Sequence, residues 1–108
     1  MLFEAFVREA ARFRSVAILS HVRPDADAIG SQTALALWFA HRGVKVRAFN
    51  DDTLPPNLAW MSNHFFVEKT DPMAMADVDA FILVDGNAFH RFGKAGESAK
   101  SSGKPVLM

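Results

Sequence analysis

The chain has 108 residues, half of them hydrophobic, and its 12 basic residues balance 12 acidic ones. This length supports one compact domain with a real core, and the balanced charge excludes a global positive field that would attract long nucleic acids non-specifically. The absence of cysteine excludes disulfides, thiolate zinc sites and a cysteine nucleophile.

The amino-terminal segment has the pattern of an amphipathic helix. Apolar residues recur at helical spacing over residues 2–13, with charged residues between them. Glu4 and Glu9 fall inside that pattern, so the segment lacks the continuous apolar core of a signal peptide. No apolar run elsewhere is long enough to span a membrane. We therefore expect a cytoplasmic protein with no membrane partner.

A strand, helix, strand unit follows. Residues 16–19 form a short apolar run, typical of a strand buried on both faces, and we interpret residues 45–49 as a similar strand. Between them, residues 28–42 form a nearly continuous apolar helix that stops at Gly43, a normal residue just past a helix end. Parallel strands joined by such a crossover helix carry helices on both faces of the sheet. This unit predicts an open α/β fold.

The rest of the chain extends the same sheet. Residues 81–84 predict a third buried strand, and residues 105–107 predict the start of a fourth. The weaker patterns indicate a short helix at 57–61, a brief strand at 65–67 and a helix over 88–100. We predict one parallel sheet of about four or five strands with helices on both faces.

Polar residues that can bind metal follow three of the predicted strands: His21, Asp25 and Asp27 after the first, Asp51 and Asp52 after the second, and Asp85 after the third. The carboxyl ends of parallel strands meet at one edge of a sheet, where open α/β folds bind their ligands. Such crowding of carboxylates costs free energy unless a cation offsets it. One imidazole with several carboxylates suits manganese or magnesium better than structural zinc. Two such ions would activate a water for phosphoryl transfer.

A phosphate is expected beside these ions. Residues 28–31 begin the predicted helix, where free backbone N–H groups and the helix dipole favour an anion. Gly30 and Ser31 are the candidate phosphate contacts, although close helix packing would also require a small residue at Gly30. Arg91 could hold a phosphate with its planar guanidinium, or cap a helix.

Structural roles compete with several of these assignments. The stretch around His21 could be a turn in which Asp27 caps the helix. Asp85 precedes a glycine, and Asp-Gly is common in strand-end turns. Asp51 and Asp52 could belong to a solvated loop or touch the site.

Four stretches resemble one known family. HVRPDADAIGS at residues 21–31 looks like the first motif of the DHH phosphoesterase superfamily, and the helix SQTALALWFAHRGVKV that overlaps its end fits the same pattern. This superfamily includes RecJ-type exonucleases, nanoRNA and phosphoadenosine phosphate phosphatases, cyclic dinucleotide phosphodiesterases and family II inorganic pyrophosphatases. LPPNLAWM at residues 54–61 is similar to a segment of the nanoRNA phosphatase branch. ILVDGNAFHRFG at residues 82–93 resembles the second motif, with Asp85 and Arg91 at matching places.

The resemblance implies a role for each candidate residue. His21 and Asp25 would bind one manganese, Asp27 would bind a second, and Asp85 would bridge the two. Magnesium is the alternative ion. Asp27, Asp85 and Arg91 would then be the catalytic residues, with Arg91 also contacting the substrate phosphate.

The family pattern extends beyond the motifs present. Family members continue with an Asp-His-His signature, a further metal-binding aspartate and a carboxyl-terminal substrate domain, and residues 1–108 contain none of these. The resemblance implies that residues 1–108 are the amino-terminal part of the catalytic domain, weakly active or inert alone. An unpaired sheet edge would favour pairing with a second copy.

The implied activity is hydrolysis of phosphate esters in short oligoribonucleotides or in 3′-phosphoadenosine 5′-phosphate. Two alternatives stay open: a family II-like inorganic pyrophosphatase, and a non-catalytic module that binds a metal or a nucleotide.

Overall fold

The structure, a computed structural model, describes residues 2–23, 25–52, 67–84, 86 and 88–107. The described part of the chain contains the strands β1 (Ser15–Ser20), β2 (Lys45–Asn50), β3 (Val67–Lys69), β4 (Ala80–Val84) and β5 (Val106–Leu107). They form one parallel sheet in the order β3-β2-β1-β4-β5. The same residues contain the helices α1 (Leu2–Ala10), α2 (Ala26–His41), α3 (Pro72–Met75) and α4 (Gly93–Ser101), and a 3₁₀ helix at Phe89–Phe92. The predicted α/β sheet is confirmed.

The central strand β1 separates two apolar layers. Its side chains alternate between the two faces of the sheet, as the pleat of a strand requires. On one face, β1 and β4 pack against α1, α2 and the α1–β1 turn through Ala10, Phe13, Val16, Ile18, Ala36, Phe39, Ala80 and Ile82. On the other face, the sheet packs against α3, α4 and the 3₁₀ helix through Ala17, Leu19, Phe49, Met75, Val78, Phe81, Leu83, Phe92, Ala95 and Ala99. Helices therefore cover both faces, as predicted.

The order of the strands creates a topological switch point beside β1. The chain runs from β1 to β2 and β3 on one side and then returns to place β4 on the other side of β1. Open α/β sheets bind ligands at such a switch point, outside the carboxyl ends of the strands. The register pairs Ser20, the last residue of β1, with Val84, the last residue of β4. The carboxyl ends of these two strands therefore lie side by side.

Two helices have bounds that differ from the prediction. α1 ends at Ala10 instead of residue 13, because Asp79 accepts a hydrogen bond from the backbone N–H of Arg14 at 2.8 Å and turns the chain into β1. α2 begins at Ala26, two residues earlier than predicted. The side chain of Asp25 caps this helix by accepting from Ala28 N at 2.9 Å. Asp25, and not Asp27, is thus the cap of α2.

The predicted helix over 88–100 is two elements. The 3₁₀ helix ends where Gly93 adopts φ +61° and ψ −137°, a conformation essentially restricted to glycine, and α4 continues from there. Helix α3 was not predicted; Asp71 caps it and Pro72 occupies its first turn. The predicted helix at 57–61 and residues 65–66 of the predicted strand lie outside the described residues.

An exposed ion pair joins β2 to β3. Arg47 Nε donates to Glu68 Oε2 at 2.7 Å, and a second guanidinium nitrogen contacts the other carboxylate oxygen. This hydrogen bonding by Glu68 raises the pKa of Arg47.

Across the described ranges, no helix is both long and apolar enough to cross a membrane.

The two faces of α2 offer a matched test of the core. Phe39 is fully buried, whereas Leu37 on the same helix is 48% exposed. Phe39→Ala should lower the free energy of unfolding by about 3–5 kcal/mol, because it removes buried apolar area and leaves a cavity. Leu37→Ala should cost under about 1 kcal/mol. Urea denaturation followed by circular dichroism measures both values, and equal losses would contradict this packing of α2.

Candidate metal site

His21 lies at the carboxyl end of β1 and is only 8% exposed. Its ring Nδ1 is 2.7 Å from the backbone oxygen of Val22. A carbonyl oxygen can only accept a hydrogen bond, so Nδ1 carries the proton of this contact. In the neutral ring, the lone pair is then on Nε2. This is the tautomer in which a histidine presents Nε2 to a metal ion.

Asp25 brings a carboxylate to the same place. Its Oδ1 is 4.0 Å from His21 Nε2, too far for a hydrogen bond. Bonds from divalent ions to protein ligands are about 2.0–2.2 Å long, so two donor atoms at this separation can both reach one ion. The Asp25 side chain is 64% exposed. The pair therefore combines a buried, oriented imidazole with a carboxylate open to solvent.

The other two predicted ligands are placed less fully. Asp27 is exposed in the first turn of α2, two residues after Asp25. Asp85 lies outside the described residues, directly after Val84 in the sequence. Within the described ranges, no group of three or more histidine and acidic side chains could hold a metal ion. The structure thus brings His21 and Asp25 together, and the roles of Asp27 and Asp85 stay predictions.

The amino terminus of α2 is close to this pair. Since the helix begins at Ala26, Gly30 and Ser31 lie beyond its first turn, where backbone N–H groups donate to carbonyls one turn back. The backbone N–H groups that remain for an anion belong to the first turn, at Ala26 and Asp27. A Cβ at Gly30 would have no described atom within 4 Å, so packing does not explain this glycine. Ser31 is exposed, and its hydroxyl stays a candidate phosphate contact.

Arg91 is anchored to the loop that carries His21. Its backbone oxygen accepts from Val22 N at 2.8 Å, and the residue itself is exposed in the 3₁₀ helix. This contact joins the segment after β4 to the segment after β1. The predicted phosphate contact of Arg91 is consistent with this position.

Asp51 and Asp52, whose roles the sequence left open, both bind backbone N–H groups. Asp51 Oδ1 accepts from Ala95 N at 3.2 Å, Oδ2 accepts from Lys94 N, and Oδ1 also accepts from the Thr70 hydroxyl. Asp51 therefore satisfies the first turn of α4. Asp52 Oδ2 accepts from Arg23 N at 2.6 Å, which holds the loop after β1.

A buried group of polar side chains, which was not predicted from the sequence, lies beneath His21. Ser20, Gln32 and Asn50 are all fully buried. Gln32 Nε2 donates to the backbone oxygens of Ile18 and Phe49 at 2.7 and 3.0 Å, and its Oε1 accepts from the Ser20 hydroxyl at 2.8 Å. For Ser20 and Asn50 a signal was available, since each is the first polar residue after the apolar end of a strand, whereas Gln32 lies between Ser31 and Thr33 and carries no such signal.

Comparison with known proteins adds evidence on the fold. No protein-family model and no curated protein matches this chain. Among solved structures, the chain is similar to an exopolyphosphatase-related protein from Bacteroides fragilis, with 24% sequence identity and a TM-score of 0.85. The match covers 95% of this chain and 32% of that chain, so this chain spans about a third of that protein's length. The likeness shows a shared fold.

Gly93 provides a test of the contact between Asp51 and α4. A Cβ at Gly93 would collide with the Asp51 carboxylate and approach Val22 Cγ1 within 2.9 Å. Gly93→Ala should therefore destabilise the chain by about 2–5 kcal/mol, the sum of backbone strain and overpacking. Gly103 also has positive φ but no described neighbour within 4 Å of an added Cβ. The control Gly103→Ala should cost only about 1–2 kcal/mol. Similar unfolding midpoints for the two variants would argue against this contact.

Proposed function

We propose that this chain is part of a metal-dependent phosphoesterase of the DHH superfamily, acting on phosphate esters of short oligoribonucleotides or of 3′-phosphoadenosine 5′-phosphate. The supporting observation is the pairing of His21 Nε2 with Asp25 Oδ1 at 4.0 Å, beside the start of α2 and at the switch point of the sheet. Metal ligands next to an anion-binding helix terminus suit the hydrolysis of a phosphate compound.

The proposed ligands are the four residues that match the family motifs. His21 and Asp25 would hold one Mn²⁺, Asp27 a second, and Asp85 would bridge them, with Mg²⁺ as the alternative ion. The described donors fit a hard or borderline divalent ion, because they combine one imidazole with carboxylates and include no thiolate. Val84, which precedes Asp85 in the sequence, pairs with Ser20, which precedes His21.

Each part of the proposed site would have a distinct task in the reaction. When bound, the metal ions supply an activated water near neutral pH and neutralise charge on the phosphate. The Val22 carbonyl holds the His21 ring in the tautomer that leaves Nε2 as a ligand. The amino terminus of α2 orients a phosphate oxygen. Arg91 stabilises the negative charge that grows on the phosphoryl oxygens.

The alternative substrate class is a phosphoanhydride. The solved structure that shares this fold is described as exopolyphosphatase-related, which supports inorganic pyrophosphate or polyphosphate as a second candidate class. The same ligands and the same attack on phosphorus would serve both classes. A non-catalytic metal-binding module is the remaining alternative.

Phosphate release distinguishes these alternatives. Short oligoribonucleotides, 3′-phosphoadenosine 5′-phosphate and inorganic pyrophosphate are each incubated with the chain and Mn²⁺. Turnover by residues 1–108 alone is expected to be weak, and turnover of a phosphate ester should exceed that of pyrophosphate. Chelation of the metal should remove the activity, because the metal ions generate the nucleophile. Turnover of pyrophosphate alone would favour the alternative enzyme. Turnover that survives chelation would contradict the proposed mechanism.

Asp25→Asn separates the ligand role of Asp25 from its role as the cap of α2. Asparagine caps a helix about as well as aspartate, so the free energy of unfolding should change by under about 0.5 kcal/mol. The neutral amide should weaken Mn²⁺ binding, measured by calorimetry, at least about tenfold. Asp71, the cap of α3, is the matched control. Asp71→Asn should change neither quantity, and unchanged Mn²⁺ affinity in Asp25→Asn would refute the ligand role.

A further inference from the structure

We propose that Asn50 is a positioning residue, whose buried side-chain amide fixes the main chain of Ser20 and His21 and thereby the orientation of the His21 imidazole. The part of this inference that concerns metal affinity rests on the proposed function. The part that concerns the His21 ring does not.

The side chain of Asn50 supplies hydrogen bonds to the chain after β1 at the point where the backbone pairing of β1 with β2 ends. The register of the two strands runs from Ser15 with Lys45 to Leu19 with Phe49. At the next position, Asn50 Nδ2 donates to His21 O at 2.7 Å and to Ser20 Oγ at 2.7 Å, with Ser20 O at 3.2 Å. The amide has two hydrogens, which serve the two nearer oxygens, and Ser20 O can share one of them.

The other end of the same amide completes a ring of hydrogen bonds. Asn50 Oδ1 accepts from Asp52 N at 2.7 Å, and Asp52 Oδ2 accepts from Arg23 N at 2.6 Å. The ring therefore runs from His21 along the chain to Arg23, across to Asp52 and back through Asn50. Arg23 adopts φ 55°, which is unfavourable for a residue with a side chain. The hydrogen bonds of the ring hold it in that conformation.

This ring encloses the atom that orients His21. The Val22 carbonyl, which accepts from His21 Nδ1, belongs to the segment between the two anchored residues His21 and Arg23. If that segment moves, the acceptor for Nδ1 moves with it. Asn50 thus acts on the imidazole through the backbone.

The orientation of the amide requires asparagine and excludes aspartate. Nδ2 faces oxygens of Ser20 and His21, whereas Oδ1 faces a backbone N–H group. In Asn50→Asp, a carboxylate oxygen would face the His21 carbonyl, and two acceptors would oppose each other in a buried place. Gln32 is the matched control, because it is an equally buried amide that donates to Ile18 and Phe49 and contacts neither His21 nor Val22 through its donor atoms.

The test compares Asn50→Asp with Gln32→Glu. Both variants should be less stable than the parent chain, because each places a carboxylate against buried carbonyls. The tautomer of the metal-free His21 ring is measured from its ¹⁵N chemical shifts, at a pH where the ring is neutral, and the signals are assigned with His21→Gln. The parent chain and Gln32→Glu should both carry the proton on Nδ1. In Asn50→Asp the shifts should show a mixture of the two tautomers. The Mn²⁺ dissociation constant should rise about 10–100-fold in Asn50→Asp and less than about threefold in Gln32→Glu.

The two readouts separate the two hypotheses. If the parent chain binds no Mn²⁺, the proposed function fails, and the ¹⁵N shifts still decide the role of Asn50. If a folded Asn50→Asp keeps the parent tautomer and affinity, or if Gln32→Glu changes them equally, the positioning role is refuted. Should Asn50→Asp fail to fold, Asp52→Ala opens the same ring at an exposed side chain. That variant should shift the tautomer in the same direction, and an unchanged ring would count against the inference.

Discussion

The central strand β1 is buried on both faces and hydrogen-bonded along both edges, and its last residue, Ser20, is also fully buried. Buried carbonyl and N–H groups need partners, and at that point the strand pairing with β2 has stopped. The buried amides of Gln32 and Asn50 supply those partners, joined through the Ser20 hydroxyl. These buried hydrogen bonds therefore fix the position at which the backbone of His21 leaves β1. The geometry of the candidate site follows from this requirement.

Most of the sheet could be predicted from the sequence, because a strand buried on both faces needs a short apolar run wherever it occurs. The apolar runs at 16–19 and 81–84 each fall inside an observed strand, and the strand predicted at 105–107 is β5. The segment 45–49 also falls inside a strand, β2, but Lys45 and Arg47 are exposed there, so the expectation of a strand buried on both faces is wrong for β2. The ends of α1 and α2 were harder to predict. They depend on which aspartate reaches which N–H group, and Asp79 acts from far along the chain. Local patterns carry no information about such distant partners.

The candidate site likewise combines contacts that the local sequence predicts with contacts to residues far along the chain. The spacing of His21 and Asp25 in the motif predicted their proximity, because a helix that starts within a few residues of a strand end keeps the two residues close. The contact of the Asp51 carboxylate with α4 could not be predicted from the local sequence, since α4 lies more than forty residues further along the chain. Asn50 was also missed, because its role depends on the register of two strands. A polar side chain at the end of an apolar strand is the signal that would identify such a residue in a similar sequence.

The sheet order also has a consequence for synthesis on the ribosome. Among the described strands, β1 is made first, yet its partner on one side, β4, begins only at Ala80. While the intervening residues emerge, Val16 to Leu19 present an apolar strand with one edge unpaired, which is the kind of surface that aggregates or recruits chaperones. Pairing across such long sequence separations is slow. The nascent chain therefore cannot complete its central layer until Val84 has left the ribosome, and its amino-terminal half needs protection until then.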